Sequence, residues 1–150
     1  MSSSSFNPPS RTARQSPARL ILIAGDVLIF VFFAVQGRAT HEMPLGTSPV
    51  ITVLAISAPF AAPWFIVAPS LGVFRYNTLA RPKRMLLATT VAWLIAGSVG
   101  LLVRAAILQR AIVLPFAVTA LTIVGALLLV WHGLLSIVLS RRIGQPAHDG

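Results

Sequence analysis

The sequence predicts an all-α polytopic membrane protein, a bundle of four transmembrane helices with both termini in the cytoplasm. Three observations predict it. The chain is 56% hydrophobic and only 10% charged, where soluble domains carry about 25% charged residues. The apolar residues gather in four stretches, 20–36, 50–74, 85–108 and 112–139, and roughly 20 such residues cross a hydrocarbon layer of about 30 Å as a helix. The basic residues divide unevenly between the two sides. Arg11, Arg14, Arg19, Arg75, Arg81, Lys83, Arg84, Arg141 and Arg142 fall on the side of the termini, and Arg38, Arg104 and Arg110 on the other, nine against three. The positive-inside rule assigns the richer side to the cytoplasm.

Residues 1–18 are rich in Ser, Pro and Arg with a single aromatic, Phe6. Such a segment buries too little apolar area to fold alone and reads as a disordered basic tail. A basic N-terminus before an apolar run also suits a signal peptide, and Gly37-Arg38-Ala39 faintly resembles a cleavage site. Asp26 inside the run and the three spans that follow favour a retained first helix.

The transmembrane domain then covers 19–140. Its second span contains Pro59, Pro63 and Pro69 around Trp64. Each proline removes a backbone donor and crowds the preceding turn, which predicts a kinked or broken helix. In the third span Thr89, Trp93, Gly97, Gly100 and Arg104 recur at helical spacing, and Ala96 with Gly100 forms a small-xxx-small pair suited to close helix approach. In the fourth, Thr122, Gly125, Leu129, His132 and Ser136 form the predicted inward stripe. Residues 141–150 make a short C-terminal tail.

Several function classes are set aside by what the sequence lacks. There is no cysteine, hence no disulfide, thiolate metal site or thiol nucleophile. The formal charge of +9 comes from residues that flank the spans, so the lipid bilayer, not nucleic acid, is the expected partner. No phosphate-binding loop, paired carboxylates or HExxH motif is present. No catalytic residue, metal site or cofactor is therefore expected, and the chain reads as a non-enzyme.

Asp26 is the best functional clue. It is the one acidic residue inside a span, since Glu42 and Asp149 lie outside the apolar runs. A carboxylate at that depth is costly unless it is paired, buried in the bundle or used to handle ions. At 1.5 Å per residue Asp26 lies about 10 Å from Arg19, and His132 about 13–14 Å from Arg141. The two are level and form a candidate intramembrane pair. Arg104 lies about 30 Å along its helix from Arg84. It belongs to the opposite interface, out of reach of Asp26, where it can snorkel or join Arg38, His41 and Glu42 in a second candidate cluster. That cluster reads first as an interfacial salt-bridge network and second as a site for an anionic group. His132 could alternatively ligate haem or a pigment, although Trp131 and Leu128 leave little room beside it and no second histidine lies in a span.

Gly25-Asp26 in the first span, Gly37-Arg38 with His41 after it, Gly100 and Arg104 in the third and Trp131 in the fourth resemble the domain-of-unknown-function family DUF3054. These are small prokaryotic membrane proteins with about four spans. The resemblance extends over roughly 19–139, with one departure, His132 where a basic residue such as arginine is expected after the tryptophan. It implies no activity. The sequence thus favours a non-enzymatic accessory or structural component of a prokaryotic plasma membrane, able to self-associate or join a larger complex. A small proton- or cation-coupled transporter using Asp26 is the alternative.

Overall fold

The structure, a computed structural model, describes residues 11–39 and 48–143, with side chains described for 17–37 and 48–141. Among these residues the fold is entirely helical. Its elements are α1 (Arg11–Ala39), α2 (Pro49–Ser70), the single-turn α3 (Tyr76–Leu79), α4 (Pro82–Leu108) and α5 (Leu114–Ile143). The four long helices are each apolar and long enough to cross a membrane. They form a ring in which α1 packs on α2, α2 on α4, α4 on α5 and α5 back on α1, while α3 caps one end against α4 and α5. The bundle thus has an α3 end and, opposite it, an Arg104 end.

Local chemistry sets the boundaries. α1 is helical from Arg11, inside the segment the sequence assigns to a tail. Once the apolar span fixes a helix, most added residues bring their own hydrogen bond, Pro17 inside the extension being the exception, and Arg, Ala and Gln extend it readily. The second span ends at Ser70, short of the expected residue 74. Gly72 there adopts φ +72°, with Gly72 N–H on Pro69 O and Val73 N–H on Ala68 O, each at 3.0 Å. This paired closure needs a residue tolerant of the left-handed region. Pro82 occupies the first turn of α4, where its missing N–H is not needed.

α2 is one continuous helix through Pro59 and Pro63, which sets aside a broken helix, the less favoured of the two expectations. Continuity is possible because a carbonyl freed by proline can lie against a neighbouring helix. Pro63 frees the carbonyl of Pro59, four residues earlier. That oxygen lies 2.9 Å from where a Cβ on Gly100 would stand, and the Phe60 ring 2.6 Å from the same point. Only glycine lets α4 come this close to α2. The small-xxx-small pair read from the sequence is therefore a contact between these two helices.

The core is aromatic. Phe30, Phe33, Phe60, Trp64 and Trp93 are buried together, in edge and tilted contacts with ring centroids 5.9–6.2 Å apart. Lipid tails are as apolar as these rings, so interlocking shape, more than water exclusion, holds the helices together. The outward surface is correspondingly rich in exposed Leu, Ile and Val. The inward stripe of α5 differs from the expected one. Ala117, Ala120, Val124, Leu128, His132 and Ser136 are buried, while Thr122 is exposed and Leu129 only partly covered. Polarity is a poor guide here because apolar residues suit both the lipid face and the packed face of a membrane helix.

Candidate functional site

The polar centre of the bundle draws one side chain from each spanning helix. Asp26 of α1 and His132 of α5 meet, with Nε2 of the imidazole 2.7 Å from Oδ1. The other carboxylate oxygen, Oδ2, accepts the indole N–H of Trp64 from α2 at 2.9 Å. The second imidazole nitrogen, Nδ1, lies 2.9 Å from Oγ1 of Thr89 on α4. Asp26, His132, Thr89 and Trp64 are all fully buried, and the Trp64 ring stands edge-on to the imidazole at 5.8 Å between centroids.

Helix spacing supplies this convergence. Pro63 sits one residue before Trp64 on the continuous α2, and Thr89 belongs to the buried stripe of α4 with Trp93, Ala96 and Gly100. The approach of α1 to α5 depends on Gly25. A Cβ there would stand 2.1 Å from the Trp131 indole, whose N–H donates to the carbonyl of Leu22 at 3.2 Å. Gly25-Asp26 and Trp131-His132 thus act as two adjacent pairs: Gly25 leaves room for the Trp131 indole, and Asp26 and His132 make the polar contact beside them. Toward the α3 end Ser136 donates to the carbonyl of Leu79 at 2.6 Å, fastening α5 to α3. Toward the Arg104 end the Trp93 indole donates to the carbonyl of Leu121 at 2.8 Å.

The network is closed. Among the described residues no buried side-chain nitrogen or oxygen lacks a partner. If Nε2 carries the proton, it donates to Asp26 while Nδ1 accepts from the Thr89 hydroxyl. The imidazole and the hydroxyl proton are then both satisfied by geometry alone. Such completeness matters more in lipid than in water, because an orphaned group has no solvent to turn to.

The geometry also bears on the other chemistries open to these residues. Thr89, His132 and Asp26 form a hydroxyl–imidazole–carboxylate chain of the kind used in nucleophilic catalysis. A working site needs open space beside the nucleophile for the reacting atom, and Thr89 is fully buried. Ligation of haem or a pigment by His132 meets a similar obstacle, since both ring nitrogens are already engaged. No group of three or more potential metal ligands occurs among the described residues.

The second candidate cluster is only partly described. The side chains of Arg38, His41 and Glu42 lie outside the described residues. Arg104 is half-buried, its guanidinium 4.7 Å from the centre of the Phe116 ring. It lines a cavity of about 310 Å³ formed by α1, α2, α4 and α5, with Phe32, Phe33, Ile56, Phe116 and Ile123 among its walls. Asp26 and His132 take no part in that cavity, and Arg104 makes no contact with Asp26.

Depth matching along the sequence singles out Asp26 and His132 but misses Thr89 and Trp64 as their partners. The same arithmetic applied to Thr89, five residues past Arg84, puts it about 7–8 Å deep and is the signal that could have found it. It says nothing of the rotation of α2 that aims Trp64 inward.

Fold and site together define a four-helix polytopic membrane protein with a sealed polar centre shared by all four spans. The chain belongs to the family described as protein of unknown function (DUF3054), whose model matches residues 23–135. Those residues include Gly25, Asp26, Trp64, Thr89, Trp131 and His132. Neither a curated protein nor a solved structure matches the chain.

Proposed function

We propose that this protein is a non-enzymatic structural or accessory component of a prokaryotic cytoplasmic membrane, with both termini on the cytoplasmic side. The observation that carries this reading is the closure of the Asp26–His132–Trp64–Thr89 network: one fully buried residue from each spanning helix, with no buried polar atom among the described side chains left without a partner. Such a network locks four helices in one register and rotation. It leaves the lipid-facing surface, through which another membrane protein or a second copy would bind, as the working part of the molecule. The side assignment rests on the nine-to-three division of basic residues and on the positive-inside rule.

A second reading is favoured by one contact. Asp26 and His132 are both titratable and lie 2.7 Å apart at membrane depth, an arrangement that proton-coupled carriers use.

Asp26→Asn separates the two. The amide oxygen can accept from Trp64 while its NH2 donates to Nε2, and the imidazole proton then moves to Nδ1 and is accepted by Thr89. The fold should survive with the titratable carboxyl gone. The structural reading expects wild-type thermal stability in detergent, no change in pH-gradient-driven flux in proteoliposomes, and untagged partners or second copies retained on purification. Loss of flux in a folded Asp26→Asn protein would establish the carrier instead. A wild-type protein that purifies as a lone monomer would count against the accessory role.

A further inference from the structure

The Arg104 cavity has a different character from the sealed centre, and its chemistry is independent of the role assigned to that centre. Its walls are mostly apolar, with Phe33, Ile56 and Phe116 beside the polar Gln36, Thr119 and Arg104. Phe32 and Ile123, from α1 and α5, are both exposed on the outside of the bundle, so the cleft opens sideways between these helices toward lipid. Its volume of about 310 Å³ is many times what a single water needs. A cleft of that size takes a segment of one acyl chain.

The charge at its rim supplies the other half. Arg104 lies four residues before the end of α4 at Leu108, about 6 Å along the axis, close enough to the helix end for a long basic side chain to reach a lipid headgroup. Among the described residues the only ion pair joins His132 and Asp26, so no described carboxylate neutralises Arg104. The Phe116 ring lies 4.7 Å from the guanidinium, an attraction that positions the cation, and the planar fork of guanidinium N–H donors suits a phosphate. Thr119, which also lines the cavity, spends its hydroxyl on the carbonyl of Pro115 at 2.8 Å and does not compete for that anion.

We propose that this cleft is a binding site for one anionic phospholipid of the surrounding leaflet, its phosphate on Arg104 and one acyl chain between α1 and α5. Charge complementarity selects the headgroup, and the apolar walls with their lateral opening select a membrane lipid over a soluble anion. An occupied cleft would brace α1 against α5 at the end away from their buried polar contact.

Native mass spectrometry of the full chain, released from detergent with phosphatidylglycerol or phosphatidylcholine of identical acyl chains, tests this. One phosphatidylglycerol should remain bound per chain, at least tenfold more tightly than phosphatidylcholine. Arg104→Gln should bring the two lipids to equal, weak binding. Ile123→Trp, a change at an exposed position that fills the cleft and keeps the cation, should remove the retained lipid of either kind. Equal retention of both lipids by the wild-type chain would overturn the proposal. So would phosphatidylglycerol binding that persists in both variants, because the remaining basic residues would then account for it.

Discussion

Toward the α3 end of the bundle a carboxylate, an imidazole, an indole and a hydroxyl from four helices meet, fully buried and with no unpartnered donor or acceptor among them. At the Arg104 end a cation rests on an aromatic ring beside an open cleft. Both regions hold charged groups close to lipid, yet they stabilise them in opposite ways. A short side chain such as Asp26 cannot reach water from mid-span, so the surrounding helices must complete its hydrogen bonds. A long one such as Arg104 can reach the interface, so the bundle need only support its stem and leave its head available. The difference teaches that side-chain reach, as much as charge, decides whether a polar residue in a membrane helix becomes part of the framework or part of a surface.

The contrast can be broken from either side, and the largest effect should come from the sealed region. Asp26→Ala strands the indole N–H and one imidazole nitrogen in a dry interior. Removing one partner from a buried ionic contact typically costs about 3–5 kcal/mol, so the variant should unfold at markedly lower denaturant in mixed micelles, whereas Asp26→Asn should not. If the two behave alike, the carboxylate charge itself is indispensable and the closed-framework account is wrong.

A middle-sized effect should follow from Gly25→Ala. The added methyl collides with the Trp131 indole, and overpacking of this kind costs about 1–3 kcal/mol. Near-ultraviolet circular dichroism should report the displaced tryptophan together with the lost stability. An unchanged spectrum and midpoint would mean that α1 and α5 are not held at this separation.

The smallest effect belongs to the open end. Arg104→Gln loses a cation–aromatic contact worth about 0.5–1 kcal/mol at a partly exposed site. Its unfolding midpoint in detergent should fall only slightly. A loss as large as that of Asp26→Ala would place Arg104 in the framework after all, in keeping with a salt-bridge role for the second cluster.

Much of this is legible in the chain. Composition and run length mark four spans, and the count of residues from Arg19 and from Arg141 places Asp26 and His132 at one depth. Rise along a helix is fixed by the backbone, which is why depth can be read without a structure. Rotation about the axis is not fixed in this way. In water the apolar stripe of a helix shows which face turns inward. In lipid both faces are apolar, so the pattern misassigns Thr122 and Leu129 and does not reveal Trp64 and Thr89 as partners of the pair. The prolines of α2 leave the choice between a kinked and a broken helix open for a related reason: the freed carbonyl of Pro59 lies against Gly100 of α4, a contact visible only once two helices are packed.

The sequence by itself determined the class of protein, the number and approximate length of its spans, the matched levels of Asp26 and His132 along their helices and the absence of cysteine. Each of these follows from local geometry or from the thickness of the bilayer. Only the tertiary structure decided that Asp26 has a second partner in Trp64 and His132 a second in Thr89, that Gly25 meets Trp131 and Gly100 meets α2, and that Arg104 borders a cleft. These depend on how four helices turn about their own axes, and that is set by the mutual fit of side chains from segments as far apart in the chain as Asp26 and His132.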